Sequence, residues 1–507
     1  MATEPEARPF WRDIVRTKSV ERSIADAGEP EHSLRRSLSA LDLTVFGVGV
    51  VIGTGIFVLT GTAAKNHAGP AVALSFATAG VVCALAALCY AEFASTIPVA
   101  GSAYTFAYST IGELPAWIIG WDLVLELALG SAVVAVGWSG YVQSLLASGG
   151  VTLPHALSGA ETGGWSFNLP AVLIVLLLTG ILVIGVHLSA EITRVIVAIK
   201  VTVVLIVIVA GLFFVKAANY HPYLPPAEEA AAGTGGKAPL VQVLFGYTPT
   251  DFGVMGIFTA AAVVFFAFIG FDVVATAAEE TRNPQRDMPR GIIASLLICT
   301  LLYMLVATVV TGMQKYTRLS DDAPLSDAFK AVGQHAFADI IDVGAVAGLT
   351  SVTMILLLGQ SRVFFAMSRD GLLPRTFSTV NPRLGTPSHA LTMLGLVVAV
   401  MAGLIPLEEL SELVNIGTLF AFIVVSVGVV VLRRTRPDLP RAFRCPWVPT
   451  LPVLSVLASL WLMLNLPVAT WWRFLVWLVI GLGVYFLYGR RHSRLRLPAA
   501  PFPRRED

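Results

Sequence analysis

The chain has 507 residues, of which 56% are hydrophobic and only 13% charged, with a mean hydropathy of +0.76. Such a composition excludes a soluble globular domain and fits a polytopic membrane protein. A net charge of +1, with no basic run interleaved with aromatic residues, gives no basis for binding nucleic acid, and Cys83, Cys89, Cys299 and Cys445 have neither disulfide nor metal-ligand spacing.

The N-terminal stretch 1–40 carries charges of both signs and no apolar core, so it reads as a cytoplasmic tail and not a cleaved signal peptide. Apolar stretches of about 20 residues, the length that spans roughly 30 Å of hydrocarbon, then recur twelve times. They fall at 41–64, 70–97, 114–146, 169–188, 192–216, 252–279, 290–313, 338–362, 388–406, 411–432, 450–468 and 471–489. The longest outer loops, 147–168, 217–251 and 314–337, read as connections, so 41–489 is one membrane domain followed by a cytoplasmic tail at 490–507. With both termini inside, 26 of the 34 basic residues face the cytoplasm, seven face out, and one, Lys200, lies within the fifth span. Positive charge stays cytoplasmic, so the count supports this twelve-span topology.

Within the first span, the run Phe46 to Leu59 holds four glycines, with Gly53-Thr54-Gly55 a poor helix former at its centre. Irregular backbone at membrane depth is tolerated only where it is buried in protein or lines a cavity. A break there predicts a binding site whose freed N–H groups suit a carboxylate. The competing reading is a small-residue face for helix packing. The sixth span carries its own interruption at Phe265 to Asp272, five helices later. Interrupted helices at matching positions of two halves mark an inverted-repeat transporter with its site at the midplane. The halves are 41–216 and 252–434, leaving 450–489 for two further helices. Because five is odd, the second half is inverted.

Charges inside spans usually mark function or pairing. Glu92, Asp122, Glu126, Lys200 and Asp272 lie well inside. Lys200 sits roughly 12 Å from the inner end of its span at 1.5 Å per residue. A buried ammonium can lose its proton, which makes Lys200 a candidate coupling site against the carbonyls of the broken first helix. The alternative is a permanent tether to those same carbonyls. Glu126 belongs either to the substrate pathway or to a structural pair, and Asp272 caps or gates the second break. The 279–290 loop is either positive-inside charge or a folded gate latch.

These residues resemble the amino acid-polyamine-organocation superfamily, and within it a bacterial relative of the cationic amino acid transporters. The resemblance runs from Leu38 to about Tyr488 and rests on Gly49 to Phe57, Tyr90 to Phe93 with Ile97 to Tyr104, Gly120 to Glu126, Glu279 to Arg290 and Gln360 to Pro374. It implies an all-α integral membrane protein with the leucine-transporter fold, a 5+5 inverted repeat plus two C-terminal helices, working by alternating access. It further implies a substrate carboxylate on the N–H groups of Thr54, Gly55 and Ile56, beside Gly53. The amino group would meet carbonyls near Ile52 and at Phe266, Ala267 and Ile269. Phe266 would be a lid, Phe271 a wall, Met354 part of the side-chain pocket, and Lys200 the lysine that proton-coupled relatives carry. Fourteen-span members of the branch exceed the twelve spans counted here. Glu126 is the only acidic residue near the named positions, so neutral amino acids stand beside cationic ones as substrates.

The expectation is therefore a plasma-membrane amino acid permease embedded in the bilayer and coupled to protons, independent of sodium. No cofactor or metal is called for, and no nucleophile–base pair of an enzyme appears in the spans. An exchanger or uniporter is the alternative within the class, and an amino acid sensor on a transporter scaffold the alternative outside it.

Overall fold

Ser39 starts the first helix with a capping box: its Oγ accepts from Asp42 N, and the Asp42 carboxylate accepts from Ser39 N. Asp42 also pairs with Arg194 at 2.9 Å, fixing this helix start against the start of another. The computed structural model describes residue 16 and residues 38–494, apart from 98–101, 160–165, 186–189, 230–235, 247, 249 and 383. The greater part of the tails expected at 1–40 and 490–507 lies outside the described residues, as do the side chains of Glu191, Glu279 and Glu280.

The described chain is helical almost throughout. In order, its main helices are α1 (Ala40–Val51), α2 (Val72–Thr96), α3 (Ser102–Thr110), α4 (Glu113–Ser148), α5 (Leu169–Ile184), α6 (Ala190–Leu212) and α7 (Gly253–Val264). After them come α8 (Pro284–Met313), α9 (Pro324–Ala331), α10 (His335–Arg369), α11 (Ser388–Leu404), α12 (Leu407–Thr435), α13 (Thr450–Leu464) and α14 (Val468–Val484). A two-residue ribbon, Glu228–Glu229 against Thr250–Asp251, ties the loop before α7.

Among the described residues, eight helices are long and apolar enough to cross a membrane, and α1, α5, α11 and α13 are shorter apolar helices. The expected spans 41–64 and 70–97 do not divide at a loop. Beyond α1 the backbone coils as π-helix (Gly55–Leu59), a single α-turn (Thr60–Ala63) and π-helix again (Ala64–Ala68). It then passes through the tight turn Gly69–Ala71 straight into α2. Leu173, Leu177, Leu297, Leu301 and Val479 are exposed on the outside of the bundle. In water such a surface is costly, and in lipid it is the ordinary exterior.

Two packing groups position the site. α8 lies along α1 and α2, whereas α4 lies along α10, with α5 and α11 beside them, and α6 contacts both groups. Small residues set the close approaches: a Cβ at Gly47 would meet Ser295 Oγ at 2.6 Å, and one at Gly49 would meet Val197 at 2.3 Å. The packing reading of the glycine-rich run thus holds for its first half. Glu92 is paired: it accepts from Arg433 Nη2 at 2.6 Å and Cys445 N at 2.8 Å. The C-terminal helix is clamped to α4 by Trp121 stacked on Trp477, with centroids 4.5 Å apart, and by Trp117 donating to Gly481 O.

Candidate functional site

The first break is built by backbone alone. α1 ends at Val51; Ile52 turns extended (ψ 95°), with its N–H on Val48 O at 2.9 Å, and helix resumes at Thr54. The first backbone bond of the resumed helix is Phe57 N to Gly53 O at 3.4 Å. The N–H groups ahead of it, those of Thr54, Gly55 and Ile56, therefore have no acceptor within their own helix, and they sit at its positive end. The exposed carbonyls on the other side of the break draw donors from two separate helices. Lys200 Nζ, buried on α6, donates to Gly49 O at 2.6 Å. The Tyr303 hydroxyl on α8 lies 2.6 Å from Val51 O.

The second break is longer. α7 gives way at Val264 to a 3₁₀ turn (Phe265–Phe268), Ile269 is extended, and Gly270 takes φ +113°, which only glycine adopts readily. A further 3₁₀ segment, Val273–Glu280, follows. Much of this turn satisfies itself: Ile269 N donates to Phe266 O at 3.1 Å, and Gly270 N donates to Asp272 Oδ1 at 3.3 Å. The Asp272 carboxylate thus accepts from the backbone of the turn that it follows. Asn415 Nδ2, on α12, donates to Ala262 O and Val263 O at 2.7 and 3.1 Å, and Tyr303 reaches Ala267 O at 2.9 Å.

The two breaks touch. A Cβ at Gly55 would lie 2.2 Å from Ala267 Cα, and one at Gly270 would lie 2.6 Å from Val50 Cγ1. Between them and helices α4 and α10 is a small cavity whose wall includes Gly53, Thr54, Gly55, Glu126, Phe266 and Ile269, six of the residues singled out in the sequence. The remainder of the wall is apolar, with Leu127 and Val134 from α4 and Val352 and Leu356 from α10. Two residues of the wall carry a buried polar atom without a hydrogen-bond partner, Thr54 Oγ1 and Glu126 Oε2. Asp122, one turn before Glu126, is buried with both oxygens unpartnered.

Other expected residues stand back from the cavity. Ile52 and Ile56 are buried around the first break without lining it, and Ala267 serves as the floor on which Gly55 packs. Phe271 is not a wall; its ring packs on Tyr90 and Phe422, at 5.8 and 5.2 Å. Met354 is buried but does not line the cavity. Two residues along a helix is a rotation of about 200°, so Val352 and Leu356 face the cavity and Met354 turns away. The carbonyls of Phe266 and Ala267, expected to be free for an amino group, already accept from Ile269 N and Tyr303. Lys200 lies behind the break, against Gly348, and Asp272 beneath it. Sequence reasoning missed Tyr303 and Asn415, whose only signal was a hydrogen-bonding side chain inside an apolar run.

A membrane-crossing helical bundle with two interrupted helices meeting at a partly polar cavity belongs to the transporters. The family model for amino acid permeases matches residues 38–485, and the chain belongs to that family, within the amino acid-polyamine-organocation superfamily. It is a multi-pass membrane protein of this family. It is 49% identical over 487 residues to the branched-chain amino acid permease BcaP of Bacillus subtilis (strain 168), covering 95% of this chain and 99% of that protein. It is 48% identical over 484 residues to the methylthioribose transporter of the same organism, with 95% and 99% covered. The vacuolar cationic amino acid transporter 4 of Arabidopsis thaliana is 33% identical over 599 residues, with 95% and 96% covered.

Proposed function

We propose that the protein is a secondary active permease of the plasma membrane that imports L-amino acids by alternating access, driven by protons and independent of sodium. In this reading the chain crosses the bilayer twelve times with both termini cytoplasmic. Its halves, 41–216 and 252–434, form a 5+5 inverted repeat of the leucine-transporter fold, and two further helices follow in 450–489. The observation that carries the reading is the first break: N–H groups at the start of one half-helix face carbonyls at the end of the other, and Lys200 holds one of those carbonyls at 2.6 Å.

The N–H groups of Thr54, Gly55 and Ile56 receive the carboxylate, and the carbonyl ends at Val51 and Ile269 receive the ammonium. The apolar wall from α4 and α10 favours an uncharged, branched side chain, in keeping with the name of the Bacillus subtilis permease. Lys200 is the coupling group. Protonated, it donates to Gly49 O and fixes the inner half of the break; deprotonated, it keeps only a neutral amine's weaker hydrogen bond, and the half-helix is freer to move. Glu126 faces the substrate pathway, and Asp272 fixes the second break.

The test is uptake of labelled L-leucine into proteoliposomes, with competition by valine, lysine and methylthioribose. Stimulation by an inward proton gradient without sodium, with valine the stronger competitor, supports the reading. Counterflow that needs no protons makes the protein an exchanger, binding without uptake makes it a sensor, and competition by methylthioribose alone moves the substrate out of the amino acids.

A further inference from the structure

Tyr303 is fully buried on α8, in the middle of a long apolar stretch, and its hydroxyl meets both interrupted segments. Its hydroxyl oxygen lies 2.6 Å from Val51 O, the last carbonyl of α1, and 2.9 Å from Ala267 O, within the second break. The ring has little freedom to take the hydroxyl elsewhere. Phe76 of α2 packs on it at 5.6 Å and Phe268 at 5.3 Å, measured between ring centroids.

A phenol carries a single proton and so donates to one carbonyl at a time. Two carbonyl oxygens held by one hydroxyl are kept within reach of one another, although each belongs to a different half of the molecule. Val51 also lines the cavity, so its carbonyl is the one a bound ammonium would meet. When an ammonium donates to Val51 O, the hydroxyl proton is free to pass wholly to Ala267 O, and both buried acceptors are then satisfied.

We infer that Tyr303 is the positioning residue for the ammonium end of the substrate: it pre-sets the spacing of the carbonyls of the two breaks and takes up the acceptor that the ammonium leaves. This rests on the reading of the two breaks as an amino acid site. Without the hydroxyl, two carbonyl dipoles face one another with no shared donor and move apart, and the pre-organisation that favours an ammonium is lost.

The experiment compares two ligands that differ only at that end, L-leucine and 4-methylpentanoate, by ligand-induced thermal stabilisation of the purified full-length protein. The wild type is expected to bind leucine more tightly by about a hundredfold, the effect of losing a charge-assisted contact. Tyr303→Phe is expected to narrow that preference by about tenfold while 4-methylpentanoate binds as before, a change of about 1.4 kcal/mol and within the range of a hydrogen bond left unmade. Phe76→Leu keeps the hydroxyl and loosens its seat, so it should narrow the preference in the same direction by less, and it serves alone if Tyr303→Phe does not fold. An unchanged preference in the variants, or equal loss for both ligands, overturns the role of Tyr303. A wild type indifferent to the ammonium overturns the amino acid site itself and leaves Tyr303 a packing residue.

Discussion

The two interrupted helices solve one problem with different donors. At the first break, the carbonyls of Gly49 and Val51 are met by an ammonium and a hydroxyl from two other helices. At the second, the donors are neutral: the Asn415 amide, the Tyr303 hydroxyl and the segment's own N–H groups, with Asp272 accepting from Gly270 N. Of these donors, Lys200 alone carries a charge that a proton sets. In the proposed function the second break is a wall of the site, and the first is where a proton and a substrate would organise the same few carbonyls.

This contrast can be broken by substitution. The largest effect is expected at the contact itself. Gly55→Ala sets a Cβ against the Ala267 backbone at 2.2 Å, which neither chain can relieve by turning a side chain. Uptake per folded molecule should fall by about a hundredfold or more, as a displacement of about 1 Å at a binding centre does. Gly270→Ala sets a Cβ 2.6 Å from the Val50 Cγ1 methyl, the end of a side chain, and must also adopt φ +113°. That strain costs about 1–3 kcal/mol, so the melting temperature should drop by a few degrees while uptake persists at a reduced rate. The smallest effect separates the donors. Asn415→Leu removes the amide from Ala262 O and Val263 O, so thermal stability should decline modestly while the pH profile of uptake keeps its wild-type shape. A shifted profile in that variant would place part of the proton response at the second break.

Both interruptions were legible in the sequence because they are local. Glycines crowded at Gly53 and Gly55, and Gly270 beside four aromatic residues, mark where helix cannot continue. Lys200 stood out for a similar reason, being the one basic residue well inside an apolar span. The partners were not legible, because they come from far along the chain. Tyr303 meets Val51 across 252 positions, and Asn415 meets Ala262 across 153. Nor could the wall be read from α10. Its 35 residues carry no signal fixing which face turns inward, and a phase error of two residues put Met354 where Val352 and Leu356 stand. Between the first two spans the connection is shorter than the sequence suggested: π-helical turns run through Ala68, and the turn Gly69–Ala71, with Gly69 at φ +59°, leads into α2.

The claim on which the account turns is that Lys200, through Gly49 O, joins the proton to the break. Accumulation of labelled L-leucine in proteoliposomes, with and without an inward pH gradient, should be compared for the wild type and Lys200→Met. The account predicts that the wild type concentrates leucine only when the outside is the more acidic, and that the variant, still folded, no longer responds to the gradient. Gradient-driven accumulation by Lys200→Met, or a wild type indifferent to protons and stimulated by sodium, would contradict it.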